Sequence, residues 1–179
     1  MIFILFLLIK LVLLCILMEI LVIFMKIIFL DFNGILDTNE NMNIINNDNL
    51  SRLKRIVEST GAKVVISSSI KTGYVLYGRM NTLLKELINR LFDEDIEVVG
   101  YTNVLGNREE EIMEYLGSHP EIDDYVILDD DYEMPKLNEH LVKLPMQGSE
   151  GQQGLRDSDV EKAINILGIS KECKLPTFK

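Results

Sequence analysis

The sequence is short of what redox, zinc or charge-driven nucleic-acid chemistry requires. Its two cysteines, Cys15 and Cys173, lie far apart in unlike surroundings. They make neither a disulfide framework nor a metal-ligand spacing, so a reducing compartment is the expected setting. The two histidines fall in no His/Asp/Cys pattern: His119 precedes Pro120 at a turn and His140 adjoins a short apolar run, so both read as ordinary structural residues. Basic residues are scarce, with 18 Lys and Arg against 28 Asp and Glu, a net charge of −10 and a pI near 4.7. That balance excludes a strong general nucleic-acid binder, which needs a basic face to displace counterions, but leaves room for a local basic pocket. The aromatics form no base-stacking platform. There is no internal repeat and no break within residues 25–179, and 179 residues suffice for one domain with a proper core. The eight methionines read as core filler and alternative starts.

Long apolar runs are also absent, except at the start. Met1 to Phe24 is apolar apart from Lys10 and Glu19, and its length suits a bilayer span of about 20 residues. Each charge costs roughly 2.5–3.5 kcal/mol at a helix centre. A cleaved signal peptide fits poorly, because there is no basic n-region and no small-residue cleavage site. Two readings stay open for residues 1–24: a membrane anchor, or a stretch upstream of a working start at Met25. The second is favoured by the absence of a polar linker before the next strand. The domain from residue 25 onward is accordingly expected to be cytoplasmic, or membrane-anchored and facing the cytoplasm if residues 1–24 are translated.

The chain is organised around Lys26-Ile27-Ile28-Phe29-Leu30-Asp31-Phe32-Asn33-Gly34-Ile35-Leu36-Asp37. The first five residues read as a strand covered on both faces, as in a parallel sheet. Thr38 to Asn49 reads as a loop or flap. A helix starting near Asp48, a good N-cap, follows, with Leu50, Leu53, Ile56 and Val57 inward and Gly61 at its stop. Lys63–Ser67 is the second strand, leading into Ser67-Ser68-Ser69-Ile70-Lys71 and a loop with Gly73, Tyr74, Tyr77 and Gly78. Leu83, Leu84, Leu87, Ile88, Leu91 and Phe92 mark the second helix, and Ile96–Val99 the third strand. Ile112, Met113 and Leu116 mark the third helix, stopped by Gly117. Tyr125–Leu128 is the fourth strand, ending in Asp129-Asp130-Asp131, and Leu141–Leu144 a short fifth. The Gly148–Gly154 loop precedes a last helix with Ser158 and Glu161 at capping-box spacing. It turns Val160, Ala163, Ile164 and Leu167 inward and stops at Gly168. Strand and helix alternate at βαβ spacing. The expectation is an α/β fold, a Rossmann-like parallel five-stranded sheet with helices on both faces.

Three strands end in residues able to do chemistry: Asp31, the Ser67–Ser69 run, and Asp129-Asp130. In open α/β sheets ligands bind at the carboxyl ends of the strands. An aspartate there can attack phosphorus or hold a metal. Hard divalent cations take carboxylate and carbonyl oxygens, and serine hydroxyls can hold phosphate oxygens. The bland alternatives are an ordinary turn at Asp31 and a solvated acidic turn at Asp129–Asp131.

Asp31-Phe32-Asn33-Gly34-Ile35-Leu36 resembles the first motif of the haloacid dehalogenase (HAD) superfamily, usually Asp-x-Asp-Gly-Thr/Val-Leu. Val64-Val65-Ile66-Ser67-Ser68 is similar to its second motif and Ile127-Leu128-Asp129-Asp130 to its acidic fourth. Ser67-Ser68-Ser69-Ile70-Lys71, Asn107-Arg108-Glu109-Glu110-Glu111-Ile112 and Gly154-Leu155 resemble stretches of a narrower group, the HAD domain of multidomain RNA-repair proteins. The match covers about residues 25–168. The resemblance implies Asp31 as nucleophile, forming an aspartyl-phosphate. It implies Mg2+ held by Asp31, the backbone carbonyl of Asn33, Asp129 and Asp130, with Ser67 or Ser68 on the transferring phosphoryl group. Lys71 and Arg108 are both candidates for the basic residue that neutralises nucleophile and phosphate. Against these roles, Lys71 reads equally as a solvated loop lysine and Arg108 as an ion-pair partner of Glu111.

One position departs from the family. The second acid of the first motif, which protonates the leaving group and then activates water, is replaced by Asn33. An amide can do neither, and general acid–base help is worth about 10²–10⁴-fold. Asp37 is the nearby carboxylate that could stand in. The expected function is therefore a magnesium-dependent phosphohydrolase or phosphotransferase of reduced turnover. The alternative is a non-catalytic HAD-fold binding or regulatory module. The spacing leaves no room for a cap domain, and an open site suits a phosphate on a large substrate, a nucleic-acid end or a protein.

Overall fold

The computed structural model describes residues 25–168. Both readings of residues 1–24, and Cys173, fall outside the described residues. Among the described residues no helix is long and apolar enough to cross a membrane.

Five strands form one all-parallel sheet in the order β3-β2-β1-β4-β5: β1 (Met25–Leu30), β2 (Lys63–Ile66), β3 (Val98–Tyr101), β4 (Ile122–Asp129) and β5 (Leu141–Lys143). The helices are α1 (Asn47–Thr60), α2 (Thr72–Tyr77), α3 (Thr82–Asp93), α4 (Arg108–Ser118) and α5 (Asp157–Leu167). The sheet is buried on both faces, and alternation along β1 shows why its sequence is apolar throughout. Ile28 and Leu30 pack with Leu50, Leu53 and Ile56 of α1, Leu84, Leu87 and Leu91 of α3, and Val160, Ala163 and Leu167 of α5. Ile27 and Phe29 point the other way, onto Ile112 and Tyr115 of α4 and onto Met134 and Leu137. The expected Rossmann-like α/β architecture is the one observed.

Strand order also fixes where a ligand belongs. The chain runs outward from β1 to β2 and β3, then returns to place β4 on the other side of β1. The two directions part between β1 and β4, and the crevice beyond the carboxyl ends at such a switch point is where open α/β sheets bind ligands. The connections from β1 to β2, β2 to β3 and β3 to β4 are a turn, short loops and helices, so no cap domain is inserted among the described residues.

Several boundaries differ from the sequence reading. The cap of the first helix lies two residues earlier, at Asn46, whose side chain accepts from the N–H groups of Asp48 and Asn49. Asp48 instead sits in the first turn. The Gly73–Gly78 stretch is not a loop but belongs to α2 and its C-cap, directly after a 3₁₀ turn over Ser69–Lys71. Phe92 and Met113 follow helical spacing yet are exposed; Leu91 and Ile112 fill the core positions beside them. Gly117 lies inside α4, which ends at Ser118. β3 begins at Val98 rather than Ile96, because Asp95 takes a left-handed backbone (φ 58) and lengthens the turn before it. At α5 the first turn is closed by Asp159, which accepts from the N–H of Arg156, not by Ser158 and Glu161. The two histidines are structural, as expected: each Nδ1 meets a backbone carbonyl (Tyr115 O and Tyr125 O, both 2.8 Å), and each ring stacks on that tyrosine.

Candidate functional site

The sheet ladder continues past the strand ends and aligns the chemical residues. Leu30 pairs with Ile66 on one side and Leu128 on the other. The N–H of Asp31 then donates to Leu128 O (3.0 Å), and the N–H of Ser67 to Leu30 O (2.9 Å). Asp31 therefore stands directly beside Asp129, with Ser67 on its other flank. One carboxylate oxygen each from Asp31, Asp129 and Asp130 lies within 4.8 Å of the other two, and all three residues are buried. A cavity of about 310 Å³ is bordered by Asp31 and Asp130, together with Asn33, Ser69, Arg108, Tyr132 and Gln147.

The turn after β1 is built to hold this arrangement. Gly34 has φ +70, and a Cβ there would collide with the Asp130 carboxylate. Only a residue lacking a side chain lets the turn cross over Asp130 at this backbone angle. Asp37 is fully buried, yet it does not join the acidic trio. Its carboxylate accepts from the N–H of Gly34 (2.7 Å), the N–H of Asn43 (2.9 Å), Asn33 Nδ2 (3.5 Å) and Gln147 Nε2 (2.6 Å). It is the keystone of the turn rather than a spare acid, which corrects the idea that it could replace the missing one. Gln147 has two attachments, since its N–H also donates to Asp130 Oδ2. Nothing periodic in the sequence marks Gln147, because it lies in an irregular loop.

Burial governs the protonation of the trio. Loss of solvent pushes Asp31 from 3.8 up to about 6. The Arg108 charge opposes that rise, and the Asp129 charge adds to it. Burial also raises Asp129, against backbone N–H donation from Tyr132 and Asp131, and raises Asp130, against donation from Gln147. Three crowded carboxylates with hard oxygen donors and one bordering guanidinium leave a site short of positive charge. That donor set and charge deficit fit a magnesium ion.

The two serines differ. Ser67 Oγ accepts from Arg108 Nη1 at 3.3 Å. Ser68 Oγ is fully buried beside Asp31, favours its charged form, and has no hydrogen-bond partner of good geometry. The two basic candidates differ as well. Arg108 borders the cavity and lies 5.2 Å above the Tyr132 ring. Lys71 is not a solvated lysine. It is 2% exposed, and its Nζ is 3.0 Å from Glu111 Oε2, a carboxylate also held by Thr102 Oγ1 (3.4 Å) and the Leu105 N–H (3.1 Å). Burial lowers the Lys71 pKa, partly offset by Glu111. Glu111 therefore pairs across to Lys71, not to Arg108 three residues before it on α4. Helical spacing alone suggested the wrong pair.

With this geometry in place, comparison with known families is decisive. A family model described as the HAD domain in Swiss Army Knife RNA repair proteins matches residues 27–160. The chain belongs to this HAD family. The match starts within β1 and ends within α5, so it spans all three acidic and hydroxyl strand ends of the site. It puts the chain among HAD-like, phosphohydrolase-type domains. No curated protein and no solved structure matches the chain.

Proposed function

We propose that this HAD domain transfers a phosphoryl group from a phosphomonoester through Asp31. The observation that carries the proposal is the buried trio of Asp31, Asp129 and Asp130 at the β1/β4 switch point, with Asp31, Asp130 and Arg108 bordering one open cavity and the unpartnered Ser68 hydroxyl buried beside Asp31. Asp31, Asp129 and Asp130, with the Asn33 carbonyl, would hold Mg2+. When bound, the ion supplies positive charge to the phosphoryl oxygens.

In the first step a carboxylate oxygen of Asp31 attacks phosphorus and the bond from phosphorus to the leaving oxygen breaks. Ser68 Oγ–H donates to a phosphoryl oxygen. Arg108 offsets the negative charge of both nucleophile and phosphate, and its contact with Tyr132 fixes the guanidinium plane. Lys71 acts behind it, held by Glu111, as a buried positive charge near the serine run. In the second step water attacks the aspartyl-phosphate, the P–O bond to Asp31 breaks, and inorganic phosphate leaves. Both steps need a proton moved at the leaving or attacking oxygen, and Asn33 cannot move one. The leaving oxygen therefore takes its proton from solvent, and the attacking water gives one up to solvent. This favours low-pKa leaving groups and a long-lived phospho-enzyme.

The substrate we assign is a phosphate on a macromolecule, foremost a nucleic-acid end. The open site and the family's association with RNA repair support it. The direct test is phosphate release from an activated aryl phosphate by the full chain with magnesium. The reading requires release that is abolished by EDTA and by Asp31→Asn. A second reading, a non-catalytic module that only binds metal and phosphate, draws on the way Asn33 Nδ2 is taken up by Asn43 (3.1 Å) and Asp37. No release by the native chain, and none gained by Asn33→Asp, would decide for the module.

A further inference from the structure

The catalytic cavity has an apolar rim that phosphate chemistry alone does not call for. Of the ten large apolar side chains exposed among the described residues, Tyr132 (39%) and Met146 (53%) are the two that border it. Single exposed apolar residues are ordinary on a protein surface. These two stand instead beside Asp31, Asp130 and Arg108, on a border otherwise made of acids, amides and a serine. The acidic trio fixes both of them. The N–H of Tyr132 donates to Asp129 Oδ1 (2.9 Å). Met146 directly precedes Gln147, whose N–H donates to Asp130 Oδ2. The Met146 carbonyl in turn accepts from the N–H (2.9 Å) and Oγ (2.6 Å) of Ser149. The turns that hold the acids therefore also set the rim.

The chemistry of the rim indicates what it meets. A thioether and the face of a phenol ring offer phosphoryl oxygens no strong donor, and those oxygens fall to Arg108, Ser68 and the ion. The rim is left for the group that the phosphate esterifies. A cavity of about 310 Å³ has roughly ten times the volume of a water molecule in the liquid, enough for part of that group beside the phosphate. With Asp31 and Asp130 taken up by the ion, Asp131 is the remaining acid on the border. It disfavours a second negative charge next to the phosphate, so the group is neutral. A flat ring suits both rim residues, because aromatic rings pack offset or edge-on against tyrosine and against methionine sulfur.

We infer that Tyr132 and Met146 select the leaving group, and that the site takes a phosphomonoester whose alcohol carries a neutral aromatic ring lying against them. The inference rests on the phosphate site proposed above and narrows its substrate. On a nucleic-acid end the ring is the base of the terminal nucleotide. One exposed tyrosine serves one base and makes no track along a strand.

The test uses phosphonates, whose carbon–phosphorus bond is not transferred, so it does not depend on whether Asp31 reacts. Calorimetric titration of the full chain with magnesium compares methyl-, cyclohexyl- and phenylphosphonate. Phenylphosphonate should bind about tenfold more tightly than methylphosphonate, the size of one ring stacked on an aromatic side chain, and more tightly than cyclohexylphosphonate. Met146→Gln keeps the side-chain length and Tyr132→Leu removes the ring; each should take away most of that preference. Met146→Gln should leave methylphosphonate binding unchanged, showing that the phosphate site is intact. A nucleoside phosphonate should bind more tightly than a peptide carrying phosphonomethylphenylalanine. No preference for phenyl over methyl, cyclohexyl bound as well as phenyl, a preference untouched by both substitutions, or tighter binding of the peptide would each overturn the inference. Binding of no phosphonate at all would overturn it together with the phosphate site. Ring-selective binding without phosphate release would strike only the reading of Asp31.

Discussion

Asn33 and Asp31 set the behaviour expected of single residues. Restoring the acid with Asn33→Asp should raise steady-state phosphate release by about 10²–10⁴-fold, most for poor leaving groups. Asp31 carries a pH signature in the metal-free chain. Its folded pKa, about 6, is above the ordinary 3.8. The folded state therefore holds a proton that the unfolded chain has lost across that window. Stability contributed by this group is present below about pH 4 and is lost as pH rises to about 6, on the order of 3 kcal/mol. Asp31→Asn should flatten that slope and raise the melting temperature of the metal-free chain at neutral pH, while abolishing activity. Thermal melts across this pH range in EDTA provide the check, and equal slopes for the two chains would contradict the burial argument. The buried Lys71–Glu111 pair predicts a third outcome. Glu111→Gln leaves Lys71 charged without its partner and should cost about 3–5 kcal/mol, while changing Lys71 and Glu111 together to apolar residues should cost less than the single change. Denaturant titration of both variants measures the difference.

At the scale of elements, the cap of α1 separates what the structure shows from what the sequence suggested. Asn46→Ala should destabilise by about 1 kcal/mol and Asp48→Ala by less, because only Asn46 accepts from the first-turn N–H groups. Gly34→Ala should do more harm than either. It places a methyl group against the Asp130 carboxylate, and should weaken magnesium binding as well as stability, read by calorimetric titration. The strands and the three chemical strand ends were legible because a run buried on both faces is apolar throughout and stops where polarity begins, as at Leu30–Asp31 and Leu128–Asp129. Helix interiors were legible from their period, as at Leu84, Leu87 and Leu91. What escaped was set by tertiary partners instead. Phe92 and Met113 keep the helical period, but among the described residues both are exposed. The Lys71–Glu111 pair joins residues 40 apart in sequence, and the Gln147 link to Asp37 spans 110. No local pattern encodes either.

On the scale of the whole molecule, the sheet's switch point gathers the acids, and the absence of an inserted cap among the described residues leaves them open to bulky substrates. A phosphate at the end of a single-stranded oligonucleotide should be released no more slowly than one on a nucleoside monophosphate, whereas a covered site would reject the oligonucleotide. The net charge of −10 works against binding along duplex backbone, so unphosphorylated duplex should show no measurable retention at physiological salt. Both outcomes follow from an account in which Asp31 is a nucleophile within a cation-and-phosphate pocket. The most direct measurement is an acid quench of the full chain turning over an activated aryl phosphate with magnesium, followed by mass spectrometry of the peptide that contains Asp31. Because Asn33 cannot activate water, the account predicts that the peptide accumulates one acid-stable, hydroxylamine-sensitive phosphoryl group on Asp31. Release of phosphate with that peptide unmodified, or with the group on another residue, would contradict it.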